Sequence, residues 1–359
     1  MKKIIIITLL MVIVLVGSVS AAPSKVLRIL TWEGYAPALL VEKFENETGI
    51  DVQLSYIGDN NELIAKLAAT KGEGFDLIQP TYNWVAIAQN QYGVYAQLDM
   101  SKIKADQIDP ELFKTVTEGT KINGKPYAIP FCWGTTALIV NTKYAPEAGK
   151  TYKDLCNPKY AGRISYRSKY DTFYMFAYAL GLDPSKDVSD ENKYRATMEE
   201  TLQKLIECKK YVKTYWGTRQ ELEDLLMREE VWVATCWDAT GWSLNLKKPE
   251  LQYKIPEEGA VGWIDTYAIS AGAENVEGAY KWINFIMNSE NAAVIAEKTG
   301  YSMASNGYLK LLSPEREKLF KDSFPPEVVA NIKWYFPMPL YAIDIEADVQ
   351  ERLKAARSE

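Results

Sequence analysis

Short apolar runs alternate along the chain with segments whose apolar residues recur at helical spacing. Residues 27–31 are short and apolar enough for a buried strand, and residues 39–48 predict a helix that ends before Gly49. Residues 50–56 alternate between apolar and polar side chains, which is typical of a half-buried strand. The chain therefore begins with a strand, a loop, a helix and a second strand.

The same alternation continues towards the C-terminus and predicts an α/β protein. Further strands are predicted at 75–78, 137–141, 163–166, 231–236, 253–256 and 262–267. Further helices are predicted at 60–70, 172–180, 191–208, 220–228, 276–287 and 292–298, with a helical tail over 326–357 that breaks at 334–337.

Two extended segments are predicted to cross between two lobes. The first, 125–135, contains several prolines and runs on into the strand at 137–141. The second is the strand at 262–267, which returns the chain. Gly134 lies in the first crossing, where a flexible residue could serve as a hinge. A length of 359 residues is sufficient for two domains with separate cores.

The N-terminus has the pattern of a signal peptide over residues 1–22. Lys2 and Lys3 precede an apolar run, and Val19-Ser20-Ala21 is a small-residue cleavage pattern that predicts cleavage after Ala21. An uncleaved membrane anchor remains an alternative. We expect a periplasmic or extracellular protein. A lipoprotein anchor is not indicated, because no cysteine stands beside the cleavage point.

Composition excludes several classes of function. The net charge is −6 and the pI is near 5.2, which argues against a nucleic-acid partner and permits a cationic ligand. The chain contains no histidine, so Ser-His-Asp and Cys-His catalysis are excluded and the commonest transition-metal ligand is missing. No phosphate-binding or dinucleotide-binding glycine motif is present. We expect no cofactor, no metal and no enzyme activity.

The four cysteines leave two possibilities open. Cys132, Cys156, Cys208 and Cys236 have no C-x-x-C spacing, so a zinc or redox site is not indicated. Outside the cytoplasm one disulfide can form, but the spacing does not identify the pair, and free buried thiols are equally compatible with it.

Indole rings recur beside acids or amides near the predicted strand ends. The segments are Trp32-Glu33-Gly34-Tyr35, Thr81-Tyr82-Asn83-Trp84, Trp237-Asp238 and Trp263-Ile264-Asp265. Aromatic faces attract ammonium groups and carboxylates bind them by charge-assisted hydrogen bonds, so the set predicts a cleft for a cation. Packing of the rings against the sheet is the competing interpretation for each segment taken alone.

On these motifs the chain resembles the polyamine-binding (spermidine/putrescine) branch of the periplasmic solute-binding proteins of ABC transporters. The resemblance extends from about residue 27 to the C-terminus. It rests on TWEGY at 31–35, FENETGI at 44–50, FDLIQP at 75–80, IPFCWGTT at 129–136, GWID at 262–265, WINF at 282–285 and TGY at 299–301.

The resemblance implies the type II periplasmic-binding-protein fold, with a ligand cleft between two lobes that crossing strands join. The implied boundaries are 26–132 plus 260–304 for lobe 1 and 133–259 plus 305–359 for lobe 2. It also implies a membrane ABC permease as the partner of a monomer. The ligand-binding residues are predicted to be Trp32, Glu33, Tyr35, Thr81, Asn83, Asp171, Trp237, Asp238, Trp263, Asp265, Tyr301 and Tyr335.

Within that set, Asp265 is the implied central acid and Asp171 the implied acid at the end of the cleft. Asp171 also falls near the start of a predicted helix, where a capping role is the alternative. The chain departs from the family pattern at Ser168, which stands where a further acid can occur and is flanked by Arg167 and Lys169.

Three functions therefore compete. The first is delivery of a polyamine to a permease. The second keeps the fold and binds an anionic or amino-acid-like solute through Arg167 and Lys169. The third is a secreted sugar-active enzyme with paired carboxylates, which the absence of histidine does not exclude.

Overall fold

The computed structural model describes residues 25–357, so the predicted signal peptide lies outside the described residues. The strands are β1 Val26–Trp32, β2 Asp51–Ile57, β3 Leu77–Ile78, β4 Lys121–Ile122, β5 Lys125–Pro126, β6 Ile129–Asn141, β7 Ile164–Tyr166, β8 Val212–Tyr215, β9 Val233–Trp237, β10 Leu251–Lys254, β11 Val261–Ile269, β12 Ser302–Met303 and β13 Lys333–Trp334.

The α-helices are α1 Ala38–Thr48, α2 Asn60–Thr70, α3 Tyr82–Tyr92, α4 Pro110–Gly119, α5 Tyr170–Ala179, α6 Pro184–Asp187, α7 Glu191–Cys208, α8 Arg219–Met227, α9 Asp238–Lys247, α10 Val276–Ile286, α11 Ser289–Thr299, α12 Pro314–Ser323, α13 Pro326–Ala330 and α14 Leu340–Ala355. Within residues 25–357, no helix is both long enough and apolar enough to cross a bilayer.

The main sheet runs in the order β2-β1-β3-β11-β6-β9-β7-β8. The strands β1, β2 and β3 are parallel, and so are β9, β7 and β8. Between these two groups, β11 and β6 run antiparallel to each other and to their outer neighbours. Two parallel α/β units are thus joined by an antiparallel pair, as the two predicted crossings require.

The 13-residue strand β6 belongs to both units. Its first part, up to Thr136, pairs with β11, while Thr136–Val140 pairs with β9. The strand β11 likewise pairs with β6 along most of its length and with β3 through Ala268 and Ile269. The α/β class and the crossing strands are confirmed, while the lobe boundaries stay a prediction.

Gly134 has a packing role in the first crossing. It is paired with Trp263 in the β6–β11 ladder, and a Cβ atom at this position would lie 2.4 Å from Cζ2 of Trp263. Glycine therefore makes room for the indole, which is a different requirement from the predicted hinge.

Two predicted strand-end loops are in fact the first turns of helices. Tyr82 begins α3, and Asp238 begins α9. These predictions were wrong because neither helix carries a clear apolar stripe: the first two turns of each are buried on most sides, and α9 also contains Gly241, a poor helix former. The Trp263–Asp265 segment lies inside β11 instead of at its end.

The cysteine pairing that the sequence left open is Cys156 with Cys208, across a separation of 52 residues. The bridge joins the short 3-10 turn at Tyr152–Cys156 to the last residue of α7. Cys132 and Cys236 are buried free thiols.

Candidate functional site

Asp265 is held by two hydroxyl groups from the first α/β unit. The Tyr35 hydroxyl donates to its Oδ2 at 2.5 Å, and the Thr81 hydroxyl donates to its Oδ1 at 2.7 Å. The ladder between β11 and β6 shifts register between Asp265 and Thr266, and such bulges re-aim side chains at functional sites. Asp265, Tyr35 and Thr81 are called the Asp265 cluster below.

Asn60 orients the threonine of this cluster. Its amide nitrogen donates to Thr81 Oγ1 at 2.8 Å, and its amide oxygen accepts the Thr81 backbone N–H at 3.0 Å. Since Oγ1 accepts from Asn60, its own proton is left for Asp265. The backbone N–H and the hydroxyl of Thr81 thus both have partners, and these partners determine which way the hydroxyl points.

Asp265 is only 5% exposed, and burial raises the pKa of its carboxylate to about 6 while the two hydroxyl donors oppose that rise. Among residues 25–357, no lysine or arginine forms an ion pair with it. A buried carboxylate without a counter-charge is unfavourable, and an ammonium group is the natural partner to relieve it.

Aromatic rings surround the Asp265 cluster. The ring of Tyr301 meets Tyr35 edge-on at 5.9 Å between centroids and meets Trp263 edge-on at 5.2 Å. The Trp263 indole is 7% exposed, and its buried Nε1 has no hydrogen-bond partner. Trp32 ends β1 half-buried and donates its indole N–H to the Gln79 carbonyl at 2.7 Å.

A second group joins an acid, two rings and an arginine. Arg167 Nη1 lies 3.6 Å from Oδ2 of Asp171, which is four residues further along the chain in the first turn of α5. The same guanidinium lies 5.0 Å from the Trp237 ring centroid and 5.3 Å from that of Trp216. Arg167, Asp171, Trp216 and Trp237 are called the Arg167 cluster below.

Tyr170 interacts electrostatically with an acid of each cluster. Burial raises its pKa most, and the carboxylates of Asp171 and Asp265 both add to the rise, so this phenol is within electrostatic reach of each acid. Its ring meets that of Tyr335 at 5.3 Å. The Tyr335 backbone is fixed by its N–H bond to the Gly262 carbonyl and by the Tyr82 hydroxyl, 2.6 Å from its own carbonyl.

The remaining predicted ligand residues differ in accessibility. Asn83 is buried beside Met338, and its amide oxygen has no hydrogen-bond partner. Glu33 is exposed. Asp238 is fully buried, and its oxygens accept the N–H and hydroxyl of Thr135 and the Ala239 N–H, so internal partners surround it in this conformation.

The sequence interpretation missed Trp216, Tyr170 and Asn60. No local pattern marks them, except that Tyr170 precedes Asp171 at the start of a predicted helix. Among the described residues, no group of three His, Cys, Asp or Glu side chains is arranged to hold a metal ion.

Comparisons with known proteins agree with this architecture. The family model for bacterial extracellular solute-binding proteins matches residues 40–318. The chain is 29% identical over 343 residues to the spermidine/putrescine-binding periplasmic protein of Escherichia coli, with 94% of each protein covered. It is 30% identical over 353 residues to the putrescine-binding periplasmic protein SpuD of Pseudomonas aeruginosa, with 91% of this chain and 92% of the relative covered.

Among solved structures, a Listeria monocytogenes protein ascribed to a spermidine/putrescine ABC transporter matches with a TM-score of 0.81 at 26% identity. The match covers 93% of this chain and 100% of that protein. The fold is thus that of a type II, two-lobe substrate-binding protein of ABC transporters.

The chain belongs to the bacterial extracellular solute-binding protein family. Because that family consists of substrate-binding transport proteins, this protein is a binding protein and not an enzyme. The resemblance inferred from the sequence motifs is confirmed, and the sugar-active enzyme is excluded.

Proposed function

We propose that this protein is exported to the periplasm or the cell exterior, captures a polyamine-type amine, and delivers it to the membrane permease of an ABC importer. One observation carries the proposal. Asp265 is a buried carboxylate with two hydroxyl donors, and no cation of the described residues pairs with it. The names of the Escherichia coli and Pseudomonas aeruginosa relatives support the same class of ligand.

The aromatic rings supply the rest of the affinity. Trp263 and Tyr301 stand near the Asp265 cluster, where their faces and edges can cover the methylene groups of an alkyl amine. Trp32 ends the strand that precedes the loop of Tyr35. A cation over an aromatic ring contributes about 0.5–2 kcal/mol, depending on how much water is excluded. Asp265 therefore fixes the ammonium, and the rings select for an alkyl chain.

The anionic solute held by Arg167 and Lys169 alone is the weaker alternative, because it leaves the buried Asp265 without a counter-charge. Arg167 pairs with Asp171, and Lys169 lies 3.7 Å from Asp59 at an exposed position. A ligand bound only through these two residues would have to compete with both carboxylates.

Isothermal titration calorimetry tests the proposal directly. The panel contains putrescine, spermidine, short monoamines, glutamate, sulfate and an oligosaccharide. We expect binding by alkyl amines and none by sulfate or sugar. Binding restricted to anions or sugars would refute the proposal.

We also propose that the two lobes, with the boundaries predicted from the sequence, close around the ligand. A ligand that touches both lobes binds the closed form better and shifts the population towards it. Small-angle X-ray scattering should show a smaller radius of gyration at saturation than without ligand. Identical scattering profiles at proven saturation would argue for a rigid cleft.

A further inference from the structure

The Arg167 cluster already contains a cation where the sequence predicts a ligand ammonium. Asp171 and Trp237 were both expected to hold the ligand, yet the guanidinium of Arg167 pairs with the first and lies 5.0 Å from the ring centroid of the second. Trp216 provides a second ring at 5.3 Å. Arg167 thus supplies, beside Asp171, the positive charge that a ligand ammonium was expected to supply.

Arg167 and Asp171 compensate each other's charge without a ligand. Asp171 is 1% exposed, so the carboxylate would be left uncompensated if Arg167 moved away. The planar guanidinium also stacks on indole rings better than an ammonium group does. To bind Asp171, a ligand ammonium would have to displace Arg167 or lie beside its positive charge, and both are unfavourable.

The guanidinium nevertheless retains hydrogen-bonding capacity. Its Nε is buried and has no hydrogen-bond partner, and Oδ2 of Asp171 likewise has none, because their 3.6 Å contact involves charge attraction without hydrogen-bond geometry. An arginine has five N–H donors and no acceptor, so it can be satisfied only by an acceptor group. A carboxylate or amide oxygen meets that requirement.

We propose that Arg167 is a specificity-determining residue, and that the ligand is an amine with one buried ammonium and an acceptor group at its other end. The ammonium binds Asp265, and the carboxylate or amide oxygen binds Arg167. The inference rests on the proposed function for its ammonium subsite. It replaces the second ammonium of a diamine or triamine with an acceptor group, so that the ligand carries a single buried positive charge.

Three probes of similar length test the inference by calorimetry. Putrescine has an ammonium at both ends, 4-aminobutyrate replaces one with a carboxylate, and N-acetylputrescine replaces one with a neutral amide. We expect at least one acceptor-ended probe to bind the wild-type protein about tenfold or more tightly than putrescine, since a hydrogen bond to a charged group is worth that much.

Two variants remove the guanidinium. Arg167→Met leaves the rings and Asp171 for a ligand ammonium, and Arg167→Gln keeps a polar side chain in case the methionine variant is unstable. In each, we expect the preference to reverse in favour of putrescine. Arg163→Met is the matched control, because Arg163 also lies over an indole, 4.9 Å from the Trp232 ring, but takes no part in either cluster. It should keep the wild-type order.

The outcomes separate the two proposals. The inference would be overturned if the wild type bound putrescine more tightly than both acceptor-ended probes. It would also be overturned if the two Arg167 variants kept the wild-type order of affinities for the three probes. Either result would leave the amine-binding function intact. Failure of every amine to bind would remove the proposed function, and this inference with it.

Discussion

The Tyr35 hydroxyl donates a 2.5 Å hydrogen bond to Oδ2 of Asp265, although 230 residues separate the two in the sequence. The contact joins the loop after β1 to the middle of β11. Tyr35 also meets Tyr301 edge-on, so the acid is connected to the ring wall through one phenol. The position of the buried charge is therefore determined by three distant parts of the chain.

Replacing Asp265 with asparagine tests its role as the anchor of the ammonium group. The substitution keeps the shape and removes the charge. A hydrogen bond to a charged group contributes about 1.5–3 kcal/mol, so amine affinity should fall roughly 10- to 100-fold in calorimetry. An unchanged affinity would contradict the assignment.

Asp238→Asn provides the comparison, because Asp238 is also a buried acid predicted to bind ligand. Its oxygens accept from Thr135 and Ala239, and an amide NH₂ turned towards these donors would lose those bonds. We expect a loss of unfolding free energy of about 1–3 kcal/mol in urea titrations. Amine affinity should stay near that of the wild type. A large loss of affinity at unchanged stability would place Asp238 in the ligand site.

The raised pKa of Asp265 predicts opposite pH trends for stability and binding. Its folded-state pKa is about 6, above the ordinary 3.8, because burial disfavours the charged form. Between these values the folded protein binds the proton better than the unfolded chain does. Asp265 therefore contributes about 3 kcal/mol to the free energy of unfolding at low pH. This contribution is fully present below about pH 4 and is lost as the pH rises towards 6.

Ligand affinity should behave in the reverse way. An ammonium pairs with the ionised acid, so affinity should fall by up to about tenfold per unit as the pH drops below 6. Burial also raises the pKa of Asp238 and Glu346, to about 7 in each case, so those acids titrate nearby. Subtracting the pH dependence measured for Asp265→Asn from that of the wild type isolates the contribution of Asp265. A residual slope in that variant as steep as in the wild type would assign the effect to another group.

Gly134→Ala should disturb the site through Trp263. The new methyl group would lie 2.4 Å from Cζ2 of the indole, so the ring must move. Overpacking of this kind typically costs about 1–3 kcal/mol, and we expect weaker amine binding as well. Urea unfolding and calorimetry measure the two effects.

Two further variants control this experiment. Gly217→Ala meets only Glu221 Oε2 at 3.4 Å, an ordinary contact, and should have little effect. Combining Gly134→Ala with Trp263→Phe makes room for the methyl group and should restore stability. A double variant as unstable as Gly134→Ala alone would refute the steric explanation.

The bridge between Cys156 and Cys208 should contribute to stability without affecting binding. Its 52-residue separation restricts the unfolded chain, and such bridges typically contribute about 2–4 kcal/mol. We expect Cys156→Ser combined with Cys208→Ser to unfold at lower urea concentration and to bind amines as the wild type does. Equal unfolding free energies would contradict a stabilising bridge.

The sequence alone determined the elements whose signal is local. The helices α2 and α7 have the predicted bounds, because their apolar residues recur along one face, and the crossing strands were found as extended runs. The family resemblance, through the GWID motif at 262–265, implied that Asp265 is the central acid, and the structure places the hydroxyls of two other predicted ligand residues, Tyr35 and Thr81, on its carboxylate. That an amine binds there stays a prediction.

Only the tertiary structure decided which acids have internal partners. Two of the three donors to Asp238 come from Thr135, 103 residues away, and the rings beside Arg167 come from two further segments. Cysteine spacing likewise left the pairing of Cys156 undecided. A carboxylate, a ring or a thiol has the same local pattern whether it faces a cleft or another side chain. Its surroundings are set by contacts between distant segments, and these exist only once the chain has folded.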